Sequence, residues 1–278
     1  SFGATHAGAL NVVVVIPAFN EARAIGQVIG DLPGGVAEVV VVNNASTDAT
    51  EANARAAGAT VVREPRRGYG RACLAGIAYA RGLEPPPDVL VFLDGDHSDH
   101  PDELPDLLAP IASGAADFVV GSRLLGARLG RVEPGALLPQ ARYGNAFACA
   151  VMRRLWGAPF TDLGPFRAIR WDALLALDMR DPTYGWTVEM QVKAVRAGLR
   201  CTEVPVSYRR RTGVSKITGT VGGTVRASAK ILWMLARHAA SPPPPRVPLP
   251  LGRPFASGAP RAEEASGSAS ETAARAPS

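Results

Sequence analysis

The sequence predicts an α/β domain with a mostly parallel central sheet and helices on both of its faces. Short apolar runs rich in β-branched residues recur through the first half of the chain, at 12–16, 39–42, 60–62, 89–93 and 118–120. Such runs suit strands buried on both faces. Between them lie segments of helical composition, at 21–30, 49–57, 70–81 and 101–111. Strand therefore alternates with helix, the pattern of a sheet wound on both sides. Ligands in such sheets gather at the carboxyl ends of the strands, and each motif below lies at or just after such an end.

The first strand, 12–16, runs into Pro17, which lacks an N–H and suits a strand terminus. Phe19 offers a flat face to a nucleobase. Glu21 could bond a ribose, or simply open the next helix, where an acid is favoured by the helix dipole. The second strand, 39–42, leads to Asn43 and Asn44; the Asn43 amide can donate to and accept from a base edge. Ser46 to Asp48 would cap the following helix whatever the function. After the third strand comes Arg66-Arg67-Gly68-Tyr69-Gly70, a basic turn that opens a helix and suits an anion. The fourth strand, 89–93, is the most informative, because it delivers Asp94 and Asp96, one residue apart, into the loop at its end. Gly95 permits a tight path, so both carboxylates can address one hard cation such as Mg²⁺ or Mn²⁺. Either acid could equally cap a turn.

Past Arg123 the alternation stops. A Gly-rich connector (124–135) leads to a helix at 139–156, a short strand pair around 160–169, a helix at 186–197, a strand at 202–208 and a last amphipathic helix at 220–239. From Ser241 onward Pro, Ala, Ser and Gly dominate, the composition of a disordered tail. The chain thus divides into an extension (1–10), two halves of one domain (11–123 and 124–240) and a tail (241–278).

Four segments occur in order at strand ends: P-A-F-N-E (17–21), N-N-A-S-T-D-A-T (43–50), R-G-Y-G-R-A (67–72) and D-G-D-H-S-D-H-P (94–101). Together they resemble the GT-A nucleotide-sugar domain of family 2 glycosyltransferases, over about residues 11–123. The likeness implies a UDP- or GDP-sugar donor bordered by Pro17, Phe19, Glu21, Asn43, Asn44, Arg67, Gly68 and Gly95, with Asp94 and Asp96 holding Mg²⁺ or Mn²⁺ on its diphosphate. Two positions depart from the pattern: many relatives carry Asp where Asn43 stands, and Ser98 replaces a Gln. Whether Ser98 or His97 assists the metal is open.

Downstream, Gly121-Ser122-Arg123 and Tyr208-Arg209-Arg210-Arg211-Thr212-Gly213-Val214-Ser215-Lys216 resemble two features of the polyprenyl-phosphate sugar synthases. In that likeness Arg123 faces the acceptor, while Arg210, Ser215 and Lys216 close over phosphate. Thr161-Asp162-Leu163-Gly164-Pro165-Phe166-Arg167 is similar to an acidic element of the same proteins, one residue shorter. It makes Asp162, with Asp96 and Arg123, a candidate catalytic group. Trp186 and Glu189 fall on the helix that floors the acceptor site, although core packing explains Trp186 as well. The implied reaction is an inverting transfer of a hexose to polyprenyl phosphate, with a saccharide, lipid or small-molecule hydroxyl as the alternative acceptor. A hydroxyl would need a base such as Asp162.

Composition narrows the alternatives. The net charge of +5 suits nucleic acid, anionic lipid or a nucleoside diphosphate, but no aromatic–basic platform for nucleic acid is present. Gly68-Tyr69-Gly70 begins a dinucleotide fingerprint that Cys73 breaks. The three cysteines form no C-x-x-C pair, so neither a zinc site nor a disulfide framework is indicated. Intact Asp94 and Asp96 argue against a sugar-binding module without activity. No run of about 18 apolar residues and no secretory leader pattern occurs, which points to the cytoplasm. Peripheral membrane contact fits two basic helices that lack acids, one carrying Arg142, Arg153 and Arg154, the other Arg226, Lys230 and Arg237. No motif specifies an oligomeric state.

Overall fold

The computed structural model describes residues 10–212 and 221–242. Seven strands, β1 (Val12–Ala18), β2 (Val36–Asn43), β3 (Thr60–Arg63), β4 (Val89–Phe92), β5 (Phe118–Ser122), β6 (Arg167–Arg170) and β7 (Cys201–Pro205), form one sheet in the order β3-β2-β1-β4-β6-β5-β7. Neighbours pair in parallel except at β6, which is antiparallel to both β4 and β5.

Strand alternation explains why the sheet is covered twice. On β1, Val13 and Val15 enter one core, while Val14 and Ile16 enter the other. The Val14 side is packed by α1 (Ile25–Gly30), α2 (Thr50–Ala56) and α4 (Leu104–Ala112), through Ile25, Val28, Ala54, Leu104 and Leu107. The Val15 side is packed by α3 (Tyr69–Ala80), α6 (Pro139–Trp156), α7 (Trp171–Leu177), α8 (Trp186–Arg196) and α9 (Val221–Ala240). A short helix, α5 (Arg123–Arg128), follows β5 directly. From β1 the chain builds β2 and β3 on one side and β4 on the other, so a crevice opens at the carboxyl ends of β1 and β4. The Pro17–Glu21 and Asp94–Asp96 segments both sit there.

Four expectations change. The 124–135 connector begins as α5, because Ser122 Oγ caps it by accepting from Leu125 N–H at 3.1 Å. The strand pair at 160–169 is a single strand, β6, preceded by a loop through Gly164 and Pro165. There Pro165 can donate nothing to a ladder. The strand at 202–208 stops at Pro205, and Tyr208 instead bridges Asp99 and Val132. Helix α7, which the sequence reading leaves as loop, buries Trp171, Leu174 and Leu177 and ends at Asp178 in a left-handed conformation. Ser215, Lys216, the first nine residues and the tail beyond 242 lie outside the described residues.

Candidate active site

Two adjoining cavities occupy the crevice. One, of about 300 Å³, is lined by Pro17, Phe19, Glu21, Asn44, Arg67, Gly68, Asp94, Gly95 and Asp96, together with Thr183 and Tyr184. The other, of about 460 Å³, takes in Arg123, Arg210, Thr187, Tyr208 and the apolar Leu137, Leu138, Leu163 and Ile231. Tyr69, Asp94, Tyr184 and Arg211 line both, so the end of β4 stands where the two meet.

The carboxylates at that junction are strongly coupled to their surroundings. Burial and the neighbouring Asp96 push Asp94 up to about 7, against the pull of Arg211, Arg123 and the Tyr69 hydroxyl. Asp96 is 5 % exposed. Its Oδ1 accepts from Ser98 N–H at 2.9 Å, and its Oδ2 lies 2.9 Å from Arg211 Nη2. Behind them Asp99 is buried with neither oxygen hydrogen-bonded, and burial with the charges of Asp94 and Asp96 raises it well above the carboxylate range. Ser98 Oγ is likewise buried without a partner. His97 turns away to Asp31, 2.7 Å from its Oδ2.

Two hard carboxylate ligands facing a cavity, one already neutralised by a guanidinium, suit a divalent cation. Among the described residues no group of three His, Cys, Asp or Glu side chains could hold one. A cation at Asp94 and Asp96 would therefore complete its shell with phosphate and water, as Mg²⁺ commonly does.

On the β1 side, Arg67 lies over the Phe19 ring, 3.2 Å from its centroid, so one face of that ring is already covered. The two asparagines differ. Asn44 is buried and pins the basic turn, donating to the Glu64 and Arg66 carbonyls and accepting from Gly68 N–H at 2.9 Å. Asn43 does not line the cavity: it donates to Glu51 and accepts from Ser46 N–H, both at 3.0 Å. With its amide engaged by the following loop and by Glu51 on α2, Asn43 is not presented to a base edge in this arrangement. The basic turn also differs from an open anion cradle, since Gly70 and Arg71 donate their N–H groups to the Thr183 and Pro182 carbonyls.

On the β5 side, Asp162 is fully buried and receives five donors: Arg123 through N, Nε and Nη2, Asn145 Nδ2 and Leu163 N–H, all at 2.8–3.0 Å. Burial alone would raise this carboxyl, but Arg123 and the other donors outweigh it and hold it below the usual range. Saturated and sealed, Asp162 orients Arg123 and has no path to a substrate proton. Glu203 on β7 steadies the same loop by accepting from the N–H groups of Thr161 and Asp162. Trp186 is fully buried, edge-on to Phe92 with centroids 5.7 Å apart, and its neighbour Thr187 reaches the cavity instead. Glu189 is buried too, accepting from Arg180 and Asp181 N–H and pairing with Lys193 at 2.7 Å. Neither lines the second cavity.

The three consecutive arginines separate. Arg209 reaches Asp31 and the Asp99 carbonyl, and Arg210 clamps the Pro134 carbonyl at 2.7 Å. Arg211 reaches Asp96. Arg211, Tyr69, Thr183, Tyr184 and Tyr208 are among the cavity-lining residues that the sequence reading did not select. For Arg211 the signal was present in the Arg-Arg-Arg run but off by one position.

The sequence model of glycosyl transferase family 2 matches residues 13–154. The chain belongs to that family and is a glycosyltransferase with the GT-A fold. It is 37% identical over 218 residues to an uncharacterised glycosyltransferase of Mycobacterium tuberculosis, covering 78% of this chain and 94% of that one. It is 35% identical over 230 residues to the undecaprenyl-phosphate mannosyltransferase of Micrococcus luteus, covering 77% and 90%. The fold is shared with the crystal structure of glucosyl-3-phosphoglycerate synthase from Mycobacterium tuberculosis in complex with Mn²⁺, UDP and glucosyl-3-phosphoglycerate, at a TM-score of 0.66 and 23% identity over 84% of this chain and 81% of that one.

Proposed function

We propose that this protein moves a hexose from a UDP- or GDP-sugar to a polyprenyl phosphate, with inversion at the anomeric carbon. The observation that carries the acceptor is the makeup of the second cavity. Arg123 and Arg210 supply positive charge at one part of its wall, while Leu137, Leu138, Leu163 and Ile231 supply an apolar part. A phosphate joined to a hydrocarbon chain matches both. Among the described residues that line it, Asp94 is the sole carboxylate, so no separate base stands ready for a hydroxyl acceptor. A phosphate acceptor needs none, because its oxygen is already anionic. The 35% identity to an undecaprenyl-phosphate mannosyltransferase supports the same reading.

The donor fits the first cavity, with its nucleoside toward Phe19 and Glu21 and its diphosphate toward Asp94, Asp96, Arg67 and Arg211. A divalent cation on Asp94 and Asp96 would screen the charge that grows on the departing diphosphate. Mn²⁺ with UDP in the glucosyl-3-phosphoglycerate synthase complex supports that choice of ion and ligand. Arg211 and Arg67 would add fixed positive charge on the same side, and such charge lowers the barrier when it favours the transition state over the bound substrate. Arg123, held rigid by Asp162, would aim the acceptor phosphate at the far face of the sugar. We assign residues 11–123 to the donor half and 124–240 to the acceptor half, with Tyr184 and Arg211 reaching across into the donor cavity.

Peripheral contact with the cytoplasmic face of a membrane belongs to the same proposal. Exposed Tyr143, Phe147 and Leu155 form a stripe on α6 at four-residue and eight-residue spacing, and Leu232 and Trp233 stand exposed on α9. Among the described residues no helix is long and apolar enough to cross a membrane. The deciding experiment offers purified protein UDP-glucose or GDP-mannose, Mn²⁺, and either undecaprenyl phosphate or 3-phosphoglycerate. Extraction of a labelled lipid-phosphate sugar is the expected result. Label found only in a water-soluble glycoside would replace the lipid acceptor with a small hydroxy acid.

A further inference from the structure

The guanidinium of Arg211 sits where a cation would. Its Nη2 is 2.9 Å from Asp96 Oδ2, the oxygen left after Ser98 N–H has taken Oδ1. A divalent ion bound to that same oxygen at about 2.1 Å would stand close against the guanidinium. Two cationic centres on one oxygen repel each other, so they compete for it. The contact is also one that can open. Arg211 lines both cavities and its side chain is 33% exposed, whereas the Arg123 fork is closed onto a carboxylate with no exposure. Its backbone would stay in place, because Thr212 N–H donates to the Asp96 carbonyl at 3.0 Å. The other acidic groups facing it, Asp94 and Glu21 beside the neutral Tyr208 phenol, leave the junction rich in carboxylates once the guanidinium swings away.

We propose that Arg211 is an exchangeable counter-ion: it neutralises Asp96 in the ligand-free protein, and a divalent cation displaces it into the cavity, where it meets the donor diphosphate. The proposal rests on the reading of Asp94 and Asp96 as cation ligands. It gives a single residue opposite effects on two ligands. Arg211 opposes binding of the free metal ion and favours binding of the nucleotide, so the ion and the nucleotide should each strengthen the hold on the other.

The test is Mn²⁺ binding to the nucleotide-free full chain, followed by the spin-resonance signal of unbound Mn²⁺, for wild type, Arg211→Gln and Asp96→Asn. Arg211→Gln should bind Mn²⁺ roughly tenfold tighter, equivalent to about 1.4 kcal/mol. At saturating Mn²⁺ it should bind UDP or GDP roughly tenfold more weakly. Unchanged or weaker Mn²⁺ binding by a folded Arg211→Gln protein, with Asp96→Asn still abolishing it, overturns the exchange and leaves the site reading intact. Mn²⁺ binding that survives Asp96→Asn overturns the site reading itself. Should Arg211→Gln fail to fold, a crystal of the wild type soaked in Mn²⁺ alone decides. Arg211 withdrawn beyond hydrogen-bond distance from Asp96 supports the exchange. A cation on Asp96 with the 2.9 Å contact retained refutes it.

Discussion

Asp162 shows how burial and pairing together decide what a carboxylate can do. Five donors converge on it in a site with no solvent exposure. Removing its charge strands the buried Arg123 guanidinium, so Asp162→Asn should destabilise the fold by about 3–5 kcal/mol, measured by urea unfolding at pH 7. The carboxyl is held below its ordinary value. Its stabilisation is therefore complete above roughly pH 4 and is lost as pH falls through the lower folded value. Acid unfolding of wild type should show this loss, and Asp162→Asn should lack that part of the pH dependence. At the junction the expectation differs, because Asp94→Asn or Asp96→Asn should leave the fold intact. A radiolabel transfer assay should then show a rate about 100-fold or more below wild type, the scale on which transition-state electrostatics act. The two acids were legible because D-x-D at a strand end came with three further motifs in the order that the family shows. The arginine of the 209–211 run that reaches Asp96 was not, since three identical neighbours differ only in where the backbone turns them.

At the scale of elements, close backbone approaches shape the mouth of the site. A Cβ added at Gly70 would come within 1.9 Å of the Asp181 carbonyl oxygen, and one at Gly68, where φ is +149°, within 2.3 Å of the Pro182 carbonyl oxygen. These glycines let the start of α3 dock against the 181–183 loop, which carries Thr183 into the first cavity beside Tyr184. Gly70→Ala should force that loop outward and destabilise the protein by about 1–3 kcal/mol, with a weakened nucleotide affinity visible by calorimetry. Helix α6 makes a second case. Its buried face supplies Ala148, Cys149 and Met152 to the core, while Tyr143, Phe147 and Leu155 face outward among Arg142, Arg153 and Arg154. Tyr143→Ser with Phe147→Ser should lower flotation with anionic vesicles at least about tenfold, as expected when two aromatic side chains lose burial in the interface. Turnover of a short-chain, water-soluble polyprenyl phosphate should be unaffected. The extent of α6 was readable to the residue, because Pro139 opens it and Gly157, in a left-handed conformation, closes it.

For the whole molecule, the topology places both cavities at one junction. β1 and β4 deliver groups of the first cavity, whereas β5, the loop before β6 and the segment after β7 deliver groups of the second. A ligand that spans parts so distant in sequence should stabilise them together. UDP or GDP with Mn²⁺, at about 100 times its dissociation constant, should raise stability by about 2.7 kcal/mol. In a thermal melt the nucleotide giving the larger shift identifies the donor. Asp94→Asn should remove the part of that shift that depends on Mn²⁺.

The sequence by itself determined the alternating architecture, the five strands of the first half, the family likeness and the pair of acids at the end of β4. Those features are written in local pattern: apolar runs, turn residues and short motifs whose chemistry depends on near neighbours. Tertiary structure decided which side chains reach the cavities. It set Asn44 and not Asn43 against the cleft, buried Trp186 and Glu189 behind it, closed Asp162 onto Arg123 and turned Arg211 toward Asp96. Three of those outcomes depend on a partner far along the chain: the Glu64 carbonyl for Asn44, Arg123 for Asp162 and Asp96 for Arg211. Orientation toward a distant partner is settled by packing and charge once the sheet has formed, and no local pattern encodes it.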